Sequence, residues 1–237
     1  MIINERLSEY LKALECDLPE YLDELEQQAL ADEVPIIRKE AQSLLRFLLC
    51  LLKPEKILEV GCAVGFSAAF MSEYMPDNCT ITTIEKVEMR IKEAKKNLAK
   101  IPRAEQVTLI CGDANEVLQE LADKGEKYPF IFMDAAKGQY MNFLPHLLKL
   151  LPEGGLLITD NVLQEGTIVE SKYTIPRRER TIHMRMREYV YTLKHMEEFE
   201  TVVLPVGDGV TLSVKKEQNI RNNTEIVTSK KAGMIWN

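Results

Sequence analysis

From residue 56 onward the chain alternates short, nearly continuous apolar runs with longer stretches in which apolar positions recur every three or four residues. The runs predict strands at 56–60, 80–84, 107–110, 129–133, 155–159, 199–204 and 210–215. The periodic stretches predict helices at 67–75, 87–99, 114–123, 139–150 and 184–196. Strands separated by helices of this length need right-handed crossovers, hence a mostly parallel sheet with helices on both faces. The last two strands differ: Pro205 to Gly209 is too short for a crossover, so they make an antiparallel hairpin at one edge. The expected fold is α/β, a seven-stranded mostly parallel sheet with an antiparallel C-terminal hairpin.

Residues 1–54 carry helical periodicity only. Leu7, Tyr10, Leu11 and Leu14, then Leu18, Tyr21, Leu22, Leu25 and Leu30, predict two short helices parted at Asp17 to Pro19. A third is predicted over 36–52 and ends before Pro54. These helices are expected to pack on the core at 55–216, with a lid or dimer surface as the other use, while 217–237 reads as a polar tail.

Composition narrows the setting. The net charge of -7 argues against general binding to nucleic acid or membranes. Five scattered cysteines, with no leader pattern ahead of them and no pair at metal-finger spacing, predict free thiols in a reducing cytoplasm. No apolar run approaches the roughly 20 residues of a membrane span. His146, His183 and His195 fall in helices and are expected at surfaces or helix ends.

The chemistry is concentrated at strand ends. In an open parallel sheet the ligand crevice lies outside the carboxyl ends of the strands, which selects the last residue of each strand and the loop after it. Gly61 and Gly65 permit a close turn, and Ser67 can cap the next helix. Glu85 can accept from ribose hydroxyls, Asp113 from an adenine amino group, and Ala114 leaves room for a ring. The pattern around Gly61 is not the dinucleotide fingerprint, because Ala63 stands where a second glycine is required. Asp134, Asp160 and Asn161 follow two apolar strands and form a hard oxygen set suited to Mg²⁺, Ca²⁺ or Mn²⁺. Lys137, in the Asp134 loop, is placed to take a hydroxyl proton or to steady an oxyanion.

Glu59-Val60-Gly61 followed by Gly65 and Glu85 resembles the first motifs of S-adenosylmethionine-dependent methyltransferases. With Gly112-Asp113-Ala114, Asp134-Ala135-Ala136-Lys137, Tyr140, Gly154-Gly155, Asp160-Asn161 and Gly207-Asp208-Gly209, residues 35–215 resemble the cation-dependent, catechol O-methyltransferase-like family. The resemblance implies a Rossmann-like class I methyltransferase that uses S-adenosyl-L-methionine and Mg²⁺. It implies cofactor binding by Val34, Glu59, Gly61, Gly65, Ser67, Glu85, Asp113, Ala114 and Asp134, and Mg²⁺ binding by Asp134, Asp160 and Asn161. It also implies catalysis by Lys137 and Asp134, and a homodimer built on the N-terminal helices.

Residues 170–187 hold six Lys or Arg against two acidic residues. This segment should overhang the substrate entrance, where Lys172, Arg177, Arg178 and Arg180 are expected to bind phosphates. The chain thereby resembles the bacterial subgroup that methylates 5-hydroxyuridine at the tRNA wobble position. The expected reaction is O-methylation to 5-methoxyuridine with the tRNA anticodon loop as partner, without membrane or DNA; the alternative acceptor is a small catechol or caffeoyl-type molecule.

Overall fold

The structure, a computed structural model, describes residues 5–217. Three helices, α1 (Glu5–Ala13), α2 (Glu20–Ala31) and α3 (Lys39–Leu52), precede the sheet. Helix α3 starts three residues later than its periodicity suggests. Residues 35–38 run on toward the sheet instead, with Ile37 buried in the core and Arg38 as an extended N-cap.

The strands are β1 (Lys56–Val60), β2 (Thr80–Glu85), β3 (Val107–Cys111), β4 (Phe130–Met133), β5 (Leu156–Thr159), β6 (Phe199–Leu204) and β7 (Val210–Lys215). They form one seven-stranded sheet in the order β3-β2-β1-β4-β5-β7-β6, with β7 antiparallel to both β5 and β6 and the other pairs parallel. The helices between them are α4 (Phe66–Tyr74), α5 (Glu88–Leu98), α6 (Ala114–Asp123), α7 (Tyr140–Leu150) and α8 (Arg180–His195). This is the fold expected from the alternating pattern. Helix α8 begins four residues earlier than expected, in a turn (Arg180, Thr181, Ile182, His183) with a single apolar residue. No helix among the described residues is long and apolar enough to cross a membrane.

Side chains that alternate along a strand separate the core into two layers. Ile57, Phe130, Phe132, Leu156 and Ile158 pack with α2, α3, α4 and α5. Their neighbours Leu58, Val60, Ile131, Met133 and Leu157 face the other way, onto α6, α7 and α8. A strand apolar on both faces must lie in the middle of a sheet, which is where β1, β4 and β5 are.

The order of crossovers reverses between β1 and β4, and the parallel ladder runs past the strand ends there. Gly61 and Cys62 both donate to the Ile84 carbonyl at 3.1 and 3.0 Å, Asp134 donates to Val60 and Asp160 to Met133, each at 3.0 Å. The first loop residues are thus fixed by backbone hydrogen bonds. Gly61 has φ +102°, and a Cβ there would lie 2.0 Å from the Asp134 carbonyl oxygen. Gly125 has φ +75° with nothing within 4 Å.

Gly61→Ala is therefore expected to destabilise the protein by about 3 kcal/mol or more, against about 1 kcal/mol for Gly125→Ala, which meets conformational strain alone. Urea unfolding of both variants measures the difference.

Candidate active site

The loops after β1, β2, β3, β4 and β5 enclose a cavity of about 500 Å³ at the β1/β4 reversal. Gly61, Ser67, Glu85, Asp113, Ala114, Asp134, Lys137, Asp160 and Asn161 all line it. The strand-end rule thus brings together residues drawn from five separate loops.

Three cofactor residues expected from the sequence do not line the cavity. Val34 is half-buried one residue before the lining segment, its amide closing the end of α2 on the Ala29 carbonyl at 2.9 Å. Gly65 faces α5, where an added Cβ would lie 3.1 Å from Leu98 Cγ. Glu59 is fully buried behind Gly61, with Oε1 lacking a hydrogen-bond partner and Oε2 accepting from the Thr83 hydroxyl. Ser67 is not the cap of α4: that position is Gly65, at φ +89°, and no side chain caps the helix.

The second and third strand ends carry carboxylates already engaged with the backbone. Glu85 accepts from the amides of Ala63, Lys86 and Val87 at 2.8–2.9 Å, which orients it toward the cavity floor. Asp113 caps α6 by accepting from Asn115 N at 2.9 Å and lies 3.3 Å from Lys86 Nζ. The capping hydrogen bond and the Lys86 ammonium hold its carboxyl below the ordinary range.

Asp134 and Asp160 form the acidic wall. Burial and the charge of Asp134 push the Asp160 carboxyl up to about 7. Burial also raises Asp134, against the Asn161 amide and the Lys137 charge. Tyr140, fully buried beneath them, donates from its hydroxyl to the Asp160 carbonyl and accepts from Ala135 N, both at 3.3 Å. It clamps the two loops together. Lys137 Nζ lies 3.5 Å from Asp208 Oδ2 in the β6–β7 turn.

Asp208 entered the sequence reading only within the Gly207-Asp208-Gly209 motif and was given no role at the site. Arg38, Lys86 and Arg90 also line the cavity and were missed, because their positions precede or follow the strand ends. His183 lies in the first turn of α8, at a helix end as expected, but it is buried, with Nε2 3.1 Å from the Thr167 carbonyl.

The Mg²⁺ expectation gains no support from the grouping of side chains. Among the described residues no three or more His, Cys, Asp or Glu side chains are grouped to hold an ion. The set is two carboxylates and an amide, and the Asn161 side chain turns its Nδ2, not its oxygen, toward Asp134 at 2.9 Å.

Lys172, Arg177, Arg178 and Arg180 lie outside the cavity. Three of them make local contacts: Lys172 sits over the Tyr173 ring, Arg178 pairs with Glu179, and Arg180 donates to the carbonyls of Ile175 and Tyr173. Arg185 and Arg187 likewise donate to the carbonyls of Gly138 and Glu170. Arg180 and Arg187 brace the segment itself, and Arg185 ties α8 to the loop after β4.

A sheet of this order with a ligand cavity at its reversal defines a class I, S-adenosylmethionine-dependent methyltransferase. The chain belongs to the O-methyltransferase family, whose model matches residues 12–216. It is 30% identical over 177 residues to the caffeoyl-CoA O-methyltransferase of Stellaria longipes, covering 72% of each chain. A Staphylococcus aureus protein, provisionally named a caffeoyl-CoA O-methyltransferase, superposes with a TM-score of 0.82 at 32% identity, covering 89% of this chain and 100% of that one. The SAH-bound Podospora anserina methyltransferase PaMTH1 gives 0.80 at 25% identity, covering 91% and 97%. The protein is an S-adenosylmethionine-dependent O-methyltransferase.

These relatives also overturn the tRNA reading. The Stellaria and Staphylococcus proteins carry the names of caffeoyl-CoA O-methyltransferases, and the four basic residues expected to meet an anticodon loop do not line the cavity. Wobble-uridine methylation and a tRNA partner are withdrawn.

Burial dominates the environment of Glu59 and lifts its carboxyl to about 7, with the Ser67 and Thr83 hydroxyls pulling the other way. A carboxyl raised in the folded state contributes stability that is complete below its unfolded value and is lost as pH rises through its folded value. Between about pH 4.5 and 7 the cofactor-free protein should therefore lose about 3 kcal/mol through Glu59, with Asp160 adding in the same direction. Glu59→Gln should flatten that dependence, as read from urea unfolding at pH 5 and pH 8; an unchanged pH slope would contradict the assignment.

Proposed function

We propose that this O-methyltransferase acts on a hydroxyl of a small catechol or caffeoyl-type molecule. The observation that carries the reading is the wall of Asp134 and Asp160 facing Lys137 inside the cofactor cavity, in a chain resembling caffeoyl-CoA O-methyltransferases over 72% of its length. A catechol-type acceptor matches two adjacent polar anchors with two adjacent oxygens.

The cofactor supplies an electrophilic methyl group. Glu85, Asp113 and Ala114 would hold its nucleoside end, and Gly61, with no side chain, leaves space beside Asp134. The protein's own part is to hold the acceptor oxygen in line and manage its proton. One acidic side chain accepts the hydroxyl proton, and Asp160, lifted to about 7, is tuned for exchange near neutral pH. Lys137, ion-paired with Asp208, steadies the oxyanion as it forms. Oriented this way, the oxygen attacks the methyl carbon as its bond to sulfur breaks.

A divalent cation is the finer part of this reading. Its support is charge: two buried carboxylates repel, and a hard ion would relieve them with Asn161 turning its amide oxygen inward. A thermal shift on adding Mg²⁺ to wild type but not to Asp160→Asn supports the ion, and no shift removes it.

Labelled methyl should pass from S-adenosylmethionine to a catechol or caffeoyl acceptor, and poorly to its monohydroxy analogue. Asp134→Asn and Lys137→Met should each lower kcat by about 100-fold, leaving cofactor affinity within about threefold. Equal labelling of the monohydroxy analogue would contradict two-point recognition, and no labelling of either would overturn the acceptor class.

A further inference from the structure

We propose that Asp208 is a positioning residue for methyl transfer, holding the Lys137 ammonium over the cavity and pinning the neighbouring loop at 163–166 against the β6–β7 turn. This rests on the O-methyltransferase reading of the same cavity. Asp208 occupies a hairpin turn, between Gly207 at φ +56° and Gly209 at φ +87°, yet only 5% of it is exposed. A carboxylate that deeply buried in a turn is costly unless its oxygens are used.

They are used on two different elements. Oδ2 faces Lys137 Nζ at 3.5 Å, and Oδ1 accepts from the Glu165 amide. The same turn grips the loop through its backbone, with Leu163 N donating to the Asp208 carbonyl at 3.0 Å and Val162 N to the Gly209 carbonyl at 2.9 Å. A Cβ on Gly209 would lie 2.2 Å from Leu163 Cγ, so loop and turn are in close contact.

The loop needs such an anchor. Gln164 and Glu165 both hold left-handed backbone, at φ +50° and +55°. Each costs about 1 kcal/mol and persists only where surrounding contacts over-determine it. The Glu165–Arg38 ion pair at 2.7 Å also ties this loop to the segment before α3, but both side chains are largely exposed, which leaves it weak. The buried Asp208 oxygen is the firmer tie. Lys137 has the complementary need, because a flexible four-carbon stem places a charge well only when its head is held.

The two oxygens can be separated by substitution. Asp208→Asn keeps an oxygen for the Glu165 amide but replaces the negative charge facing Lys137 with a neutral group. It should lower kcat by about 10- to 100-fold on a catechol acceptor, leaving acceptor KM and S-adenosylmethionine Kd within about threefold. Its Tm should stay close to wild type. Asp208→Ala loses the loop anchor as well and should raise acceptor KM and lower Tm besides.

A kcat for Asp208→Asn within about twofold of wild type would overturn the proposal, as would parallel loss of kcat, KM, Kd and Tm in both variants. If wild type methylates no catechol, the acceptor reading fails separately. Acylation of Lys137 by a small amine reagent, mapped by mass spectrometry, then decides: a rate several-fold higher in Asp208→Asn upholds the contact, and an unchanged rate overturns it.

Discussion

The site depends on the backbone ladder that continues beyond the ends of β1, β4 and β5. Parallel strands in register deliver their last residues to one line, and the amides of Asp134 and Asp160 stay bonded to the neighbouring strand after the strands themselves have ended. Two carboxylates that repel each other are thereby held on one wall. The arrangement tolerates no side chain at residue 61, because the Asp134 carbonyl occupies the space a Cβ would take. One glycine thus links sheet geometry to the position of the acidic wall. Tyr140 completes the constraint from below by bonding both loops through one hydroxyl.

The electrostatics follow from that rigidity. Buried carboxylates shed charge unless a partner is supplied, and Glu59 and Asp160 are both lifted to about 7. Around the cavity, partners are supplied one by one: Lys86 for Asp113, Lys137 for Asp208, and backbone amides for Glu85. Asp134 and Asp160 are the acidic groups left most under-compensated, and they stand where an acceptor oxygen must lie. Some folding stability near neutral pH is given up to keep them there.

The fold was legible because the central strands are apolar on both faces and the helices are periodic, so type and order followed from the pattern alone. The cavity-lining residues were legible for a related reason: in a parallel sheet the loop after each strand is the only place a ligand can meet several strands at once. What the sequence could not reveal was how polar groups are spent. The arginines at 177–187 form a dense basic run, but hydrogen bonds to Ile175, Tyr173, Gly138 and Glu170 carbonyls turn much of that charge inward. Asp208 was hidden in a glycine turn whose contact with Lys137 spans 71 residues of chain. Glu59 and Gly65 belong to the recognisable motif but serve it from behind, through burial and helix packing. His183 lies on the inner face of α8, whose basic surroundings masked its burial.

The most direct test is a crystal structure of the protein with S-adenosylhomocysteine bound. The ribose should meet Glu85, the adenine should lie beside Asp113 and Ala114, and the sulfur should point toward the space between Asp134 and Lys137. A cofactor bound with its sulfur turned away from that space, or outside the β1/β4 reversal, would contradict the claim that the aligned strand ends build the methyl-transfer site.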